Sequence, residues 1–388
     1  MARDTDADWR HLAETDPYYA VVALDQFHAE NMDSARLDAF YASGHHDLGD
    51  ALRHIRQRDP DFRPRHALDF GCGVGRLALA LASHATEVVG LDVAPGMLAK
   101  ARNAADHRGV RNVRFTHALT DERFDWINSL IVLQHIPPAR GMPILADLFA
   151  RLDVGGFCSV QLTLFRTAVA TSIRTGSHWF FDGERMQMMV ENDQDNTGVM
   201  RMYDYDLNRV LALMVSNNVD PYALSMTDHG GNHGAWIFGY RDPGRYRVAR
   251  GRRYGPNGEH SFARFLGTGW GRMEDWGIWT LGREAIIELQ LPAGERGAVR
   301  LEGRAFVLAG QHPRLSVSVE ANGSPAAYQS ATADNPELSI TIPPGLVDER
   351  GVLRLKLEVD QPRSPRQLGV ADDDRILGFG MRALTILG

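Results

Sequence analysis

The ten residues Ala67-Leu68-Asp69-Phe70-Gly71-Cys72-Gly73-Val74-Gly75-Arg76 constrain this chain more than any other stretch. A short apolar run closing on alternating glycines reads as a buried strand, a tight turn and a helix that begins near Arg76. Glycine lets the backbone bend sharply and lets a ligand approach where a Cβ would otherwise stand. A second apolar run, residues 87–91, ends on Asp92, sixteen residues past Arg76. In dinucleotide folds a carboxylate at the tip of the second strand accepts hydrogen bonds from a ribose diol. Strand, glycine turn, helix, strand and acid together predict a nucleoside-containing cofactor on a doubly wound α/β sheet.

The dinucleotide fingerprint G-x-G-x-x-G is not met. Gly71 and Gly73 fill its first two positions, Gly75 is additional, and Arg76 stands where the last glycine should be. Asp69, the spacing G-C-G-x-G-R and the later Asp92 instead resemble motifs I and II of class I S-adenosylmethionine (SAM) methyltransferases. Residues 123–129, Arg-Phe-Asp-Trp-Ile-Asn-Ser, followed by Leu-Ile-Val-Leu-Gln-His-Ile-Pro at 130–137, look like the fourth strand of that family and its following loop. The resemblance covers residues 65–241. It implies a Rossmann-like doubly wound sheet with an antiparallel last strand, and SAM as cofactor. It also implies that Asp69 holds the methionine amino group and that the backbone of Gly71, Cys72 and Gly73 lies under the methionine and ribose. Asp92 would take both ribose hydroxyls, and Met97 would cover one face of the adenine. Many relatives place an acid after the third strand to bind the adenine amine. Here that strand, 112–116, is followed by His117, so His117 or a backbone group must substitute.

A length of 388 residues suits two domains. The formal net charge of −7 provides no positive field to draw the chain to nucleic acid. The two cysteines, Cys72 and Cys158, fall in the glycine turn and in an apolar strand, so neither suggests a disulfide framework, and a reducing cytoplasm is the expected compartment. The N-terminal residues are polar and acidic without an apolar secretory core. No run approaches the roughly 20 apolar residues that cross a bilayer.

Residues 1–64 read as a helical cap, with apolar stripes at Ala20, Val21, Leu24 and Phe27 and at Leu48, Leu52 and Ile55. Residues 65–241 then alternate strands (67–70, 87–91, 113–116, 126–129, 157–163) with helices (77–83, 97–107, 142–151), the rhythm of a parallel sheet. Gly155-Gly156 reads as the stop of the last of these helices. Residues 164–203 interrupt the rhythm beyond the carboxyl end of the fifth strand, where open α/β sheets bind ligands. Their Arg174, His178 and Trp179 suggest a substrate-binding lid. A helix at 205–216 and strands at 221–227 and 234–240 complete the expected sheet. Residues 242–261 carry five arginines among glycines and prolines and read as a linker. From 262 to 388 the pattern changes to strict alternation between turns, predicting an all-β sandwich or jelly roll. The segment 364–379 resembles sandwich modules attached to bacterial surface-polysaccharide enzymes, which implies a glycan ligand or homo-oligomer contacts for this module.

A sugar hydroxyl is a poor acid, so a base near the transferred methyl is useful, and histidine titrates near neutrality. His135, after the fourth strand, is one candidate. A second is the run Thr227-Asp228-His229-Gly230-Gly231-Asn232-His233-Gly234, in which Asp228 can orient His229 or His233. His178, among aromatics that can stack on a sugar ring, is a third. Neither H-E-x-x-H nor a paired C-x-x-C occurs, so no tightly bound metal is expected. The first expectation is a SAM-dependent O-methyltransferase acting on a sugar hydroxyl of a bacterial glycan or glycolipid. The alternatives are a methyltransferase of a small-molecule natural product and a non-catalytic SAM- or glycan-binding scaffold.

Overall fold

The computed structural model describes residues 5–166, 177–181, 186–190, 202–292 and 297–387. The chain divides into two compact units, Met1–Asp242 and Pro243–Gly388.

The first unit opens with α1 (Thr5–Thr15), α2 (Pro17–Val21) and α3 (Ser34–Arg58). Asp33 caps α3 by accepting from the Arg36 N–H, and Phe40, Tyr41, Leu48, Ala51, Leu52 and Ile55 form its buried stripe. Next come β1 (His66–Phe70), α4 (Arg76–Leu81), β2 (Glu87–Leu91), α5 (Pro95–His107), β3 (Val113–Thr116), β4 (Phe124–Ser129), α6 (Pro138–Ala150) and β5 (Leu152–Arg166). A small antiparallel pair follows, β6 (Ser177–Phe181) and β7 (Met186–Val190), then α7 (Leu207–Ser216), β8 (Asp220–His229) and β9 (Asn232–Tyr240).

The main sheet has the order β3-β2-β1-β4-β5-β9-β8. Strands β1 to β5 pair in parallel, and β9 runs antiparallel to both of its neighbours. This is the expected Rossmann-like sheet with a reversed strand near its end. One face buries Leu68, Ile127, Val160, Leu162 and Ile237 against Leu145 and Phe149 of α6 and Val210 and Met214 of α7. The other buries Ala67, Trp126, Phe157 and Phe238 with the stripe of α3. Because β8 is parallel to β1–β5, the glycine turn, the loop after β4 and the β8–β9 turn all lie on the carboxyl edge of the sheet.

Two boundaries differ from the sequence reading. Helix α6 ends at Ala150, ahead of Gly155, and Gly155 adopts φ +83 inside the opening of β5, where the pairing with β4 shifts register. The Arg123 guanidinium makes the earlier stop workable by donating to the carbonyls of Ala150 and Leu152 at 2.8 and 2.7 Å.

The second unit contains β10 (Arg253–Tyr254), β11 (Ile278–Leu281), β12 (Glu284–Gln290), β13 (Val299–Ala305), β14 (Arg314–Ala321), β15 (Ser324–Thr332), β16 (Glu337–Ile342), β17 (Val352–Val359) and β18 (Leu377–Ile386). One sheet has the order β10-β18-β13-β16 with β11 also on β18, and the other is β12-β17-β14-β15. Alternate residues such as Leu301, Ile340, Val317, Leu355 and Phe379 share one core, which is the expected sandwich. Asn322 and Gly323, both at positive φ, form the two-residue turn between β14 and β15. The linker expected at 242–261 is corrected. Tyr246, Val248 and Tyr254 are buried in this second unit and β10 pairs with β18. Arginine-rich composition concealed three well-spaced core residues. Among the described residues no helix is long and apolar enough to cross a membrane.

Candidate active site

The turn after β1 is built on three left-handed glycines, Gly71, Gly73 and Gly75, at φ +73, +52 and +87. The first two are also demanded by space. A Cβ at Gly71 would lie 2.3 Å from Val132 Cγ1, and one at Gly73 would lie 2.7 Å from Val21 Cγ2. The N–H groups of Gly71 and Cys72 both donate to the Leu91 carbonyl, at 2.8 and 2.9 Å, which ties the turn to the end of β2. Asp92 then bridges the two segments. One of its oxygens accepts from the Gly73 N–H and the other from the Ala94 N–H, both at 2.9 Å. Each carboxylate oxygen keeps further lone pairs for a ligand hydroxyl. Burial pushes the Asp92 carboxyl up, against these hydrogen bonds.

Arg76, at the position where a dinucleotide fold needs glycine, is buried and turned away towards α3. Its Nη1 donates to Asp47 at 2.6 Å and to Ser43 at 3.1 Å. Gly44 permits this approach, since a Cβ there would lie 2.4 Å from the Arg76 carbonyl oxygen. Tyr41 adds a hydrogen bond from its hydroxyl to the Val74 carbonyl at 3.0 Å. Helix α3 therefore clamps the glycine turn from behind.

Asp69 is 2% exposed at the end of β1. Its Oδ1 accepts from Asn128 Nδ2 at 3.1 Å, and Ser159 Oγ donates to Asn128 Oδ1 at 2.8 Å while accepting from Trp126 Nε1 at 2.9 Å. This chain of buried groups across β1, β4 and β5 fixes Oδ1. The other oxygen, Oδ2, has no hydrogen-bond partner. Burial pushes the carboxyl up to about 7, with the Asn128 amide and the Arg76 guanidinium opposing. An unpaired, desolvated carboxylate oxygen is costly unless a ligand cation occupies it.

An open cleft lies beside these groups. Asp69, Gly71, Cys72, Gly73, Asp92 and His117 line it. Three further walls come from the expected helical cap and the loop after β4, with side chains the sequence reading did not assign to the site. Thr5, Asp6 and Trp9 come from α1, Val21 comes from α2, and Leu130, Ile131 and Val132 come from the segment after β4. Arg140 of α6 is also on the wall and holds Asp6 through two contacts of 2.6 and 2.9 Å. Ile131 sits at φ +60, a strained setting for a β-branched residue, and its N–H donates to Gln161 Oε1 at 3.2 Å. No local pattern marks α1 as a cleft wall, because its contribution depends on where the chain returns.

His135 lies in the single turn Leu133–His135, is buried and lines the cleft. Its ring meets Trp9 edge-on at 4.9 Å. Gln134 Oε1 accepts from Thr163 Oγ1 at 2.9 Å, so the Gln134 amide nitrogen is the group 3.1 Å from His135 Nε2. With an N–H donor at that position, Nε2 is the accepting ring nitrogen and its lone pair is engaged by the Gln134 amide.

Residues 67–156 match the family model described as a methyltransferase domain. This stretch is a class I SAM-dependent methyltransferase domain. The cofactor of the methyltransferase domain is SAM, and the cleft fits it, since Asp69 Oδ2 is an open acceptor for an ammonium and the glycine turn lines the cleft. Over 111 residues the chain is 33% identical to a ubiquinone biosynthesis O-methyltransferase of Coxiella burnetii (strain Dugway 5J108-111), covering 27% of this chain and 46% of that protein. It is 29% identical over 132 residues to the 23S rRNA (uracil(747)-C(5))-methyltransferase RlmC of Vibrio vulnificus (strain YJ016), covering 33% of each. The chain thus spans less than half the length of these curated relatives. Among solved structures, the magnesium protoporphyrin IX methyltransferase ChlM from Synechocystis PCC 6803 with bound SAH has 16% identity and a TM-score of 0.43, with 62% of this chain and all of that one covered.

Several expected site residues of the methyltransferase domain stand elsewhere. Met97, expected over the adenine, is 1% exposed within the core and does not line the cleft, because the first turn of α5 directs it inward. Asp228, His229 and His233 do not line the cleft either. They occupy the β8–β9 turn, and β9 is two strands beyond β4, roughly 10 Å across at ordinary strand spacing. There Asp228 accepts from the Gly231 N–H at 2.7 Å, and His233 stacks on Phe165 at 4.8 Å. Gly230 and Gly231, at φ +64 and +87, make the turn, so these residues have local structural tasks. His178 and Trp179 fall on β6, whose backbone alone is described, and Arg174 lies outside the described residues. Burial pushes the Cys72 thiol well up, which makes it a packing residue of the turn. Among the described residues no three His, Cys, Asp or Glu side chains gather as a metal site.

Proposed function

We propose that this chain transfers a methyl group from SAM to a hydroxyl group, with a sugar hydroxyl of a bacterial glycan or glycolipid as the first reading of the acceptor. The observation that carries the donor half is the unpaired Oδ2 of buried Asp69 beside the left-handed glycine turn. Asp69 would hold the methionine ammonium and Asp92 the ribose hydroxyls, with the backbone of Gly71 and Gly73 lying under both. When bound, SAM supplies an electrophilic methyl on a sulfonium. The protein must orient the acceptor oxygen and remove its proton. Among the described residues His135 is the one histidine of the proposed bases that lines the cleft, and it would receive that proton by exchanging its Gln134 contact for the acceptor hydroxyl.

The hydroxyl reading is supported by this base and by the O-methyltransferase named above. The sugar reading draws on the likeness of the β-sandwich unit to modules of surface-polysaccharide enzymes. The cleft itself favours a second reading, a less polar small-molecule acceptor, because Trp9, Leu130, Ile131, Val132, Ile136 and Ile144 are among the residues that line it. Calorimetry with S-adenosylhomocysteine tests the donor half. Binding by the wild type that weakens in Asp69→Ala supports it, and absence of binding overturns it. Release of S-adenosylhomocysteine from SAM with a glycoside panel, compared with a phenol panel, separates the two acceptor readings.

A further inference from the structure

The segment from Thr227 to Gly234 supplies no wall of the cleft, yet its flanks carry an unexplained feature. Gln161 on β5 is paired across to Trp236 on β9, and Thr227 on β8 is paired to Gly234 on β9. Paired residues and those two positions away share a face of a sheet, so Gln161, Trp236 and Thr227 all project from the same side. Asp69, Asn128 and Ser159 stand on that face too, in a row across β1, β4 and β5. Gln161 is 1% exposed and Trp236 is 8% exposed. Yet Gln161 Nε2, Trp236 Nε1 and Thr227 Oγ1 are all buried atoms without a hydrogen-bond partner among the described residues. Buried polar side chains are nearly always paired, so three orphans on adjacent strands, without partners among the described residues, mark a place suited to a ligand.

Gly234 makes room between them. A Cβ there would stand 2.8 Å from both Gln161 Nε2 and Thr227 Oγ1, and closer still to the Leu162 carbonyl oxygen. The orientation of the Gln161 amide is set from the other end, because its Oε1 receives the N–H of Ile131. The amide therefore presents N–H to the niche, and the Trp236 indole is a donor only. Ile131 lines the cofactor cleft, so the niche begins one residue behind the cleft wall. Two committed donors and one hydroxyl, all uncharged, match a neutral ligand with neighbouring oxygen acceptors.

We infer that Gln161, Thr227 and Trp236 form the acceptor subsite of the methyltransferase domain, built to take a vicinal diol or hydroxy ketone. The inference rests on the methyl-transfer reading above and names the acceptor's chemistry. Protein labelled with ¹⁵N at tryptophan gives seven indole N–H resonances, of which Trp236→Phe removes and so assigns one. With S-adenosylhomocysteine saturating, methyl α-D-glucopyranoside and catechol serve as diol probes. At least one should shift the Trp236 resonance saturably, and Thr227→Val should raise that probe's Kd about twofold to tenfold while leaving S-adenosylhomocysteine affinity unchanged. A Trp236 resonance unmoved by both probes, in protein that binds S-adenosylhomocysteine, overturns the subsite. Failure to bind S-adenosylhomocysteine at all strikes the donor reading instead.

Discussion

The glycine turn after β1 and the glycine turn between β8 and β9 sit on the same edge of one sheet, and both are flanked by residues that invite a catalytic reading. They differ in what their polar groups do. At the first turn Asp69 and Asp92 line the cleft, and Asp69 keeps a buried oxygen unpaired. At the second, Asp228 satisfies the turn's own Gly231 N–H and His229 is exposed. A dense cluster of histidine, acid and glycine is therefore weaker evidence of chemistry than one desolvated acid without a partner. The glycines of the β8–β9 segment make its turn, and the unpaired groups near it belong to the strands on either side.

The largest test of this contrast concerns the base. His135→Ala should lower kcat by about 10²-fold or more while S-adenosylhomocysteine affinity stays within about twofold, in steady-state kinetics set beside calorimetry. Equal turnover in this variant would return attention to the β8–β9 turn. Next in size, Asp69→Ala should weaken S-adenosylhomocysteine binding by about 10- to 100-fold, the loss of a charge-assisted hydrogen bond.

The raised Asp69 carboxyl adds a pH signature. In the ligand-free fold it holds its proton up to about 7, whereas the unfolded chain releases it near the ordinary carboxylate range. The folded state thus binds the extra proton over this interval. Asp69 accordingly contributes stability that is full at the acid end and is lost as pH rises through about 7. Thermal melts of wild type and Asp69→Asn should show the variant gaining relative stability between pH 5 and pH 8. Parallel pH dependences would contradict the desolvated setting. Asp92→Ala should cost about tenfold in S-adenosylhomocysteine affinity and also loosen the turn, since Gly73 and Ala94 N–H groups lose their acceptor. The smallest effects belong to the second turn, where His229→Ala and His233→Ala should each leave turnover within about twofold. A loss there as large as that of His135→Ala would erase the contrast.

The amino-acid order was most legible where function and backbone geometry make the same demand. Glycines that must adopt positive φ and pack closely against other side chains, an acid at each strand tip, and alternation in the β-sandwich all leave local marks. The site was less legible where contributions arrive from afar. Trp9 and Asp6 reach the cleft because α1 folds back over the carboxyl edge, and the link from Trp126 through Ser159 and Asn128 to Asp69 exists only once β5 pairs beside β4. Met97 carries the family's position yet packs inward, and residues 243–261 carry a linker's composition yet bury Tyr246, Val248 and Tyr254.

What the order of residues determined by itself was the class of sheet, the position of its cofactor turn and the all-β character of the second unit. Those follow from periodicity and from backbone conformations that glycine alone adopts readily. Which histidine borders the cleft, which oxygen of Asp69 stays open and which polar groups are left to a ligand were decided by strand order and register. Burial and hydrogen-bond pairing are properties of neighbours in space, and the chain does not carry them until it has folded.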